Sequence, residues 1–355
     1  MAESLPCGRV VAIQANFCWV EPELPAAAGV TRLLCTQRTR LGKSGLRICT
    51  GDRVRLAGID WTAGRAAVAA LIPRRSLLVR PAVANLSRVV VVVALAEPEL
   101  DPLQLTRFLI SAEATGQAVE LVFSKADLAD RAAASGWLRE ARSWGYEPLA
   151  VSTTSGVGLE ELRSRLSRPG LAVLSGPSGV GKSSLLNALR PELGLRVRPV
   201  SGRLQRGRHT TRHVELFALG PGAHVADSPG FNRPDLPADP TALAMLFPEL
   251  RGRLAAAGCR FRNCLHQGDP GCAIEAGWNR ESLYLQCLSE LLAESGKQQR
   301  SSGRVEGLRQ RGSRQEPCLD PRLRQGSRRR QRQLGCQEDQ AEGVIRPDPE
   351  DSDRP

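Results

Sequence analysis

The chain has 355 residues, 41% of them hydrophobic and 24% charged, with 49 Lys and Arg against 37 Asp and Glu and a formal charge of +12. At roughly 150 residues per domain this predicts two to three globular domains of ordinary composition, and the basic excess favours a polyanionic partner. The opening Met1 to Pro6 lacks the basic and apolar regions of a secretory signal, and the longest apolar run, Val89 to Ala96, falls far short of the ~20 residues a membrane span needs. Secretion and membrane insertion are therefore not expected, and a cytoplasmic protein is.

From Gly8 to about Pro73 short alternating stretches (Arg9 to Ile13, Phe17 to Val20, Arg32 to Cys35, Asp52 to Leu56) are broken by Gly and Pro. Their spacing leaves no room for crossover helices, which predicts a small all-β unit, with a five-stranded oligonucleotide-binding (OB) barrel the leading candidate. Phe17 and Trp19 share one strand face, where they either pack or stack on bases. From about Arg88 apolar strands alternate with helical stretches: Val89 to Ala94, Val119 to Phe123, Pro148 to Val151 and Leu171 to Leu174, with further strands at Val214 to Leu219 and Ala223 to Ala226. This is an α/β pattern, and the run of five valines from Val89 suits a central parallel strand covered on both faces. A third section, Leu236 to Glu294, mixes helices with a Cys/His cluster. Residues 296–355, rich in Arg, Gln, Gly, Ser and Pro, are expected to be disordered. The chain thus divides into 1–80, 81–235, 236–295 and 296–355. Since residues 301–355 hold 12 basic and 10 acidic side chains, the positive charge belongs mainly to the folded body.

The strongest motif is Gly176-Pro177-Ser178-Gly179-Val180-Gly181-Lys182-Ser183, which matches G-x-x-x-x-G-K-[ST] between a strand and a helix opened by Ser184. Its glycines let backbone amides surround phosphate oxygens, Lys182 reaches the β and γ phosphates, and the Ser183 hydroxyl ligates Mg²⁺. Downstream, Asp227-Ser228-Pro229-Gly230 fits D-x-x-G: Asp227 is placed to hold Mg²⁺ through water, and the Gly230 amide to meet the γ-phosphate. Upstream, Ser124-Lys125-Ala126-Asp127 resembles the [NT]-K-x-D loop that reads guanine, with Asp127 accepting from the base and Lys125 lying along its plane. Ser152 and Thr153, after another strand, supply a candidate for the second base loop. The base loops precede the phosphate loop, the reverse of the order in most GTPases, so the domain reads as a circularly permuted guanine-nucleotide fold.

These residues, with Pro73-Arg74-Arg75, Leu78-Val79-Arg80-Pro81, Val83-Ala84-Asn85, Gly207-Arg208-His209-Thr210-Thr211 and Asp227-Ser228-Pro229-Gly230-Phe231, resemble the circularly permuted, small-ribosomal-subunit-dependent GTPases of the RsgA/YjeQ type over residues 8 to 294. The resemblance implies an N-terminal OB barrel, a central permuted P-loop GTPase domain, a C-terminal zinc domain, and hydrolysis of GTP to GDP stimulated by the small subunit late in its maturation. It places Thr211, or failing that Thr210, as the switch ligand of Mg²⁺ and γ-phosphate, and His209 as the group that positions the attacking water. Phe231 stands where many GTPases carry a glutamine, and an apolar side chain cannot orient water. Gly179 stands where potassium-activated GTPases carry asparagine, so no K⁺ requirement is expected.

Cys259-x₄-Cys264-x-His266-x₅-Cys272 supplies three thiols and an imidazole, a closed set for structural Zn²⁺ with no position left for catalytic water. The other seven of the ten cysteines lack metal spacing and are expected to be buried, small apolar groups. Arg260, Arg262 and Arg280 near the cluster either meet RNA phosphates or are solvated, and the resemblance favours rRNA. The expected partners are GTP or GDP and the small subunit with its rRNA, and the chain is expected to act as a monomer. Two rivals are a P-loop ATPase or small-molecule kinase, which the Asp127 loop opposes, and a nucleotide-gated RNA-binding module with negligible hydrolysis.

Overall fold

The computed structural model describes residues 5–14, 17–23, 30–37, 47–78, 82–195, 214–227, 234, 236–302, 308–311 and 314–317. Five strands, β1 (Cys7–Gln14), β2 (Phe17–Pro22), β3 (Leu33–Gln37), β4 (Arg53–Asp60) and β5 (Arg65–Leu71), close a barrel in the order β1-β2-β3-β5-β4. Alternation fills its interior with Val10, Cys18, Val20, Leu33, Cys35, Val54, Leu56 and Val68. Pairing is antiparallel except between β3 and β5, and register breaks at Val10/Ala12 and Arg55/Leu56 supply the bending that closure needs. The expected OB-type barrel is present. Of its two aromatic candidates, Trp19 packs against the core of the neighbouring sheet, whereas Phe17 is 44% exposed.

A short hairpin, β6 (Leu77–Leu78) with β7 (Val83–Ala84), leads into the second layer system. Here the motif residues are structural. Arg74 forms a two-point ion pair, 2.7 and 2.8 Å, with the fully buried Asp52. Asn85, at φ +58°, donates from Nδ2 to the Gly51 carbonyl at 3.0 Å and accepts from the Arg75 amide at 2.9 Å.

Strands β8 (Arg88–Ala94), β9 (Ala118–Ser124), β10 (Leu149–Ala150), β11 (Gly170–Ser175), β12 (Glu215–Gly220) and β13 (Ala223–Asp227) form a six-stranded sheet. Its order is β10-β9-β8-β11-β13-β12, parallel except for β12. The valines of β8 lie centrally and are buried on both faces, as their unbroken apolar run predicts. Helices α1 (Pro102–Glu113) and α2 (Arg131–Ser143) cover one face through Leu105, Phe108, Leu109 and Ala141. Helices α3 (Leu159–Leu166) and α4 (Lys182–Leu189) cover the other through Leu162, Leu166, Leu185 and Leu186. Asp101 and Asp130 cap α1 and α2 by accepting two backbone amides each.

The barrel grips the β12–β13 hairpin, the segment between residues 207–211 and the D-x-x-G stretch. Thr50 Oγ1 donates to the Val214 carbonyl at 3.1 Å, and Arg32 reaches Glu215 at 3.1 Å and the Leu216 carbonyl at 3.2 Å. Buried His224 meets Glu21 at 3.0 Å, and this hydrogen bond holds the Glu21 carboxyl below the usual carboxylate range.

After a 3₁₀ segment (Pro240–Leu246) come α5 (Pro248–Ala256), the Cys/His loop and α6 (Glu281–Ser302). Phe247, Trp278 and Tyr284 pack edge to face with centroids 5.4 to 5.7 Å apart. Arg280 does not face solvent, as its place in the sequence suggests. It is 1% exposed, bonded at 2.7 Å twice to Glu249, with its guanidinium carbon 4.5 Å from the Trp144 ring and 4.6 Å from that of Phe247. An arginine so enclosed is a joint between this module and α2, and it cannot meet RNA.

Residues 1–291 make one compact unit and 292–355 another. The described part of the second is the end of α6 and a two-stranded ribbon, β14 (Leu308–Arg311) with β15 (Arg314–Pro317); the rest of the expected disordered tail lies outside the described residues. Among the described residues no helix is long and apolar enough to cross a membrane.

Candidate nucleotide site and metal centre

All the described nucleotide loops leave the carboxyl ends of neighbouring strands, which is where ligands bind in open parallel sheets. Strand β11 ends at Ser175, and the chain then turns so closely over β8 that a Cβ on Gly176 would lie 2.0 Å from the Val92 carbonyl oxygen. Only glycine fits there, and its φ of +144° demands glycine as well. Pro177 and Val180 are buried while Ser178 and Gly179 face solvent, so the loop is anchored at two points and open between them. Gly181, at φ +90°, starts α4 without a side-chain cap. The first-turn amides of α4 are thus left for an anion. Lys182 Nζ donates to the Gly176 and Pro177 carbonyls, both at 2.7 Å, which lays its ammonium across the loop mouth. Ser183 and Ser184 follow, half-buried, in the first turn of α4.

The base-side residues divide their work in a way the motif does not suggest. Ser124 is 3% exposed, and its hydroxyl lies 2.6 Å from the Val180 carbonyl and 3.1 Å from that of Val93. It braces the base loop against the phosphate loop and does not itself point outward. Lys125 adopts a left-handed backbone, φ +53°, and its ammonium donates to the Glu97 carbonyl. Asp127 is exposed. The second loop is joined to the first by a bond from the Ala126 amide to the Val151 carbonyl at 3.1 Å. Buried Ser152 accepts the amides of Thr154 at 3.2 Å and Ser155 at 3.0 Å, so it shapes this loop and leaves Thr153 exposed.

Ala226 pairs with Val173, so Asp227 ends β13 level with the approach to the phosphate loop. His209, Thr210, Thr211, Gly230 and Phe231 lie outside the described residues.

In the C-terminal module, one ligand atom from each of Cys259, Cys264, His266 and Cys272 lies within 4.8 Å of all the others. Cys259 Sγ and Cys272 Sγ stand 3.5 and 3.4 Å from His266 Nδ1. A zinc tetrahedron with Zn–S of about 2.3 Å and Zn–N of about 2.0–2.1 Å has sulfur–nitrogen edges of about 3.5 Å, so the set fits that ion. The amides of Ala273, His266 and Ile274 point at the sulfurs of Cys259, Cys264 and Cys272 at 3.3, 3.4 and 3.3 Å. Such donors stabilise thiolates, which a neutral thiol cluster would not require. Of the other cysteines, Cys18, Cys35 and Cys287 are buried as expected, Cys7 and Cys49 are only half-buried, and Cys318 and Cys336 lie outside the described residues.

Comparison with known proteins agrees with this arrangement. The model of the RsgA GTPase family matches residues 71–237. The small ribosomal subunit biogenesis GTPase RsgA of Synechococcus sp. strain CC9605 is 55% identical over 289 residues, covering 81% of this chain and 95% of the relative. Its counterpart in Trichormus variabilis is 41% identical over 355 residues, covering 93% and 96%. Among solved structures, YjeQ from Thermotoga maritima superposes with a TM-score of 0.68 at 29% identity, covering 81% of this chain and 98% of its own. YloQ, described as a circularly permuted GTPase, gives 0.65 at 25%, covering 84% and 98%. With its permuted loops on one sheet edge, its closed barrel and its Cys₃His module, the chain belongs to the RsgA GTPase family.

Proposed function

We propose that this protein hydrolyses GTP to GDP and phosphate on the small ribosomal subunit late in its maturation, with nucleotide state timing its release from rRNA. The observation that carries the reading is the brace from Ser124 to Val180, which makes one unit of a loop suited to guanine and a loop suited to phosphate. The names of the relatives supply the subunit as partner.

In this reading Gly176 to Ser184 cradle the phosphates, Lys182 neutralises charge as the terminal phosphoryl group departs, and Asp127 accepts from guanine, with Lys125 along the base plane and Ser152–Thr153 shaping its far side. Mg²⁺, held by Ser183 with Asp227 and Thr211, would supply screening of the β and γ phosphate charge. The Gly230 amide meets the γ-phosphate, Thr210 is the second choice for the switch ligand, and His209 positions the attacking water, since Phe231 cannot. Zn²⁺ on Cys259, Cys264, His266 and Cys272 would be structural. The protein acts in the cytoplasm as a monomer, in four parts divided near residues 80, 235 and 295.

The test is hydrolysis of GTP and ATP side by side, with and without purified small subunits, at low and high salt. GTP-selective turnover raised by the subunit supports the reading. Turnover that prefers ATP overturns the base-loop assignment, and turnover indifferent to the subunit overturns the partner. His209→Ala is expected to lower hydrolysis about 100-fold with GTP affinity retained; unchanged hydrolysis removes His209 from the mechanism.

A further inference from the structure

The metal loop carries a run of four exposed residues, Arg260-Phe261-Arg262-Asn263. Phe261 is 53% exposed, an unusual place for a large ring in a module that buries Phe247, Trp278 and Tyr284. It is not held there by slack chain. The Cys264 amide closes a turn on the Phe261 carbonyl at 3.3 Å, and the Arg260 amide donates to the Gly271 carbonyl at 2.9 Å. Arg260 lies so close over Gly271 that a Cβ on that glycine would come within 2.9 Å of the arginine's own. The Arg260 guanidinium carbon stands 5.5 Å from the Phe261 ring centroid. Ligands Cys259 and Cys264 bracket the run, so the ring and both arginines sit on a rigid tip.

We infer that this tip is a docking point for one unpaired base of single-stranded RNA, the base stacking on Phe261 and the adjoining phosphates meeting Arg260 and Arg262. A lone ring flanked in sequence by two arginines is a poor anchor for a protein, whose specific interfaces bury on the order of 1,200 Å² or more. It suits a base, because an aromatic face accepts any base face and the arginines supply the charge that tracks a backbone. Within a duplex that face is already occupied by neighbouring bases, so the tip discriminates in favour of unpaired RNA. The inference rests on the ribosomal reading only for which RNA is met.

The experiment uses the full zinc-loaded chain with a single-stranded oligoribonucleotide carrying one 2-aminopurine, and a duplex of the same sequence. Phe261→Ala is expected to weaken single-strand binding about tenfold and abolish the 2-aminopurine quench, with the salt slope unchanged and duplex binding unaffected. Phe261→Trp is expected to retain both. Arg262→Gln is expected to make the slope of log affinity against log salt shallower by about 0.7. Zinc content and GTP affinity, measured on each variant, report folding. Wild-type affinity in Phe261→Ala, or an equal loss on the duplex, overturns the inference. If the quench is present in the wild type and lost in Phe261→Ala while small subunits fail to stimulate GTP hydrolysis, the docking point stands and the ribosomal reading falls. Stimulated hydrolysis with no quench in the wild type overturns the docking point and leaves the ribosomal reading in place.

Discussion

The phosphate loop and the metal loop are both short irregular stretches held in one shape, and they are held by opposite means. Gly176, Pro177 and Val180 are buried against β8 and Ser124, so the phosphate loop inherits its rigidity from the sheet beneath it. The metal loop touches the core of its module through Leu265 and Cys272, with Tyr284 Oη donating to the Leu265 carbonyl at 2.8 Å, but most of it faces outward: Ala257, Gly258 and residues 260–263 and 267–271 are exposed, and among its four ligands only Cys264 is buried. One loop is ordered by packing; the other carries a Cys₃His set that a bound ion would order. The two can therefore be dismantled separately.

The largest effect is expected from taking the ion away. Structural zinc contributes about 10–16 kcal/mol in zinc-finger peptides, far more than an exposed loop can replace. Cys264→Ser, or exhaustive chelation, is expected to abolish hydrogen-exchange protection across residues 257–273 while leaving GTP affinity within about twofold of wild type. Loss of GTP binding on chelation would break the comparison, because it would show the phosphate loop leaning on the metal.

A middling effect is expected at Arg280, where the C-terminal module meets the turn that follows α2. Arg280→Met leaves Glu249 a nearly buried carboxylate, its side chain 11% exposed, without its partner, which costs about 3–5 kcal/mol. For a folded body of 291 residues that corresponds to a fall in Tm of about 5–8 °C in a thermal melt. Adding Glu249→Gln is expected to recover part of it, since the penalty lies in the orphaned charge. A Tm within about 2 °C of wild type would mean the ion pair contributes little to holding Arg280 in place.

The smallest effect sharpens the phosphate-loop side. Ser124→Ala removes the hydroxyl between the Val180 and Val93 carbonyls, worth about 1 kcal/mol, and is expected to raise the Kd for GTP about fivefold in an equilibrium titration. Ser124→Thr, which keeps the hydroxyl, is expected to bind as wild type does. Equal affinities for all three proteins would show that packing alone holds the loop.

The barrel strands, the central valine strand, the phosphate loop and the Cys₃His set are all legible in the sequence, because each depends on local period or on spacing over a few residues. What escapes it depends on partners far along the chain. Arg280 reads as a surface cation until Glu249, Trp144 and Phe247 close around it. Ser124 reads as the first residue of the base loop until Val180, 56 positions on, accepts its hydrogen bond. Trp19 reads as core more readily than as stacking platform, and the sheet it abuts decides for core. Phe261 carries a signal of its own, an aromatic between two arginines inside metal-ligand spacing, where burial is geometrically difficult.

The grip of the barrel on β12 also settles the fate of a sheet edge. Of the two outer strands, β10 spans only two residues, too short to template another chain, whereas β12 spans six. An open edge of that length offers carbonyls and amides to any passing strand. Here the Val214 and Leu216 carbonyls are already taken by Thr50 and Arg32. The barrel is thus a guard on the solubility of the domain it precedes, and a chain shortened to begin at β8 would carry an adhesive border into solution.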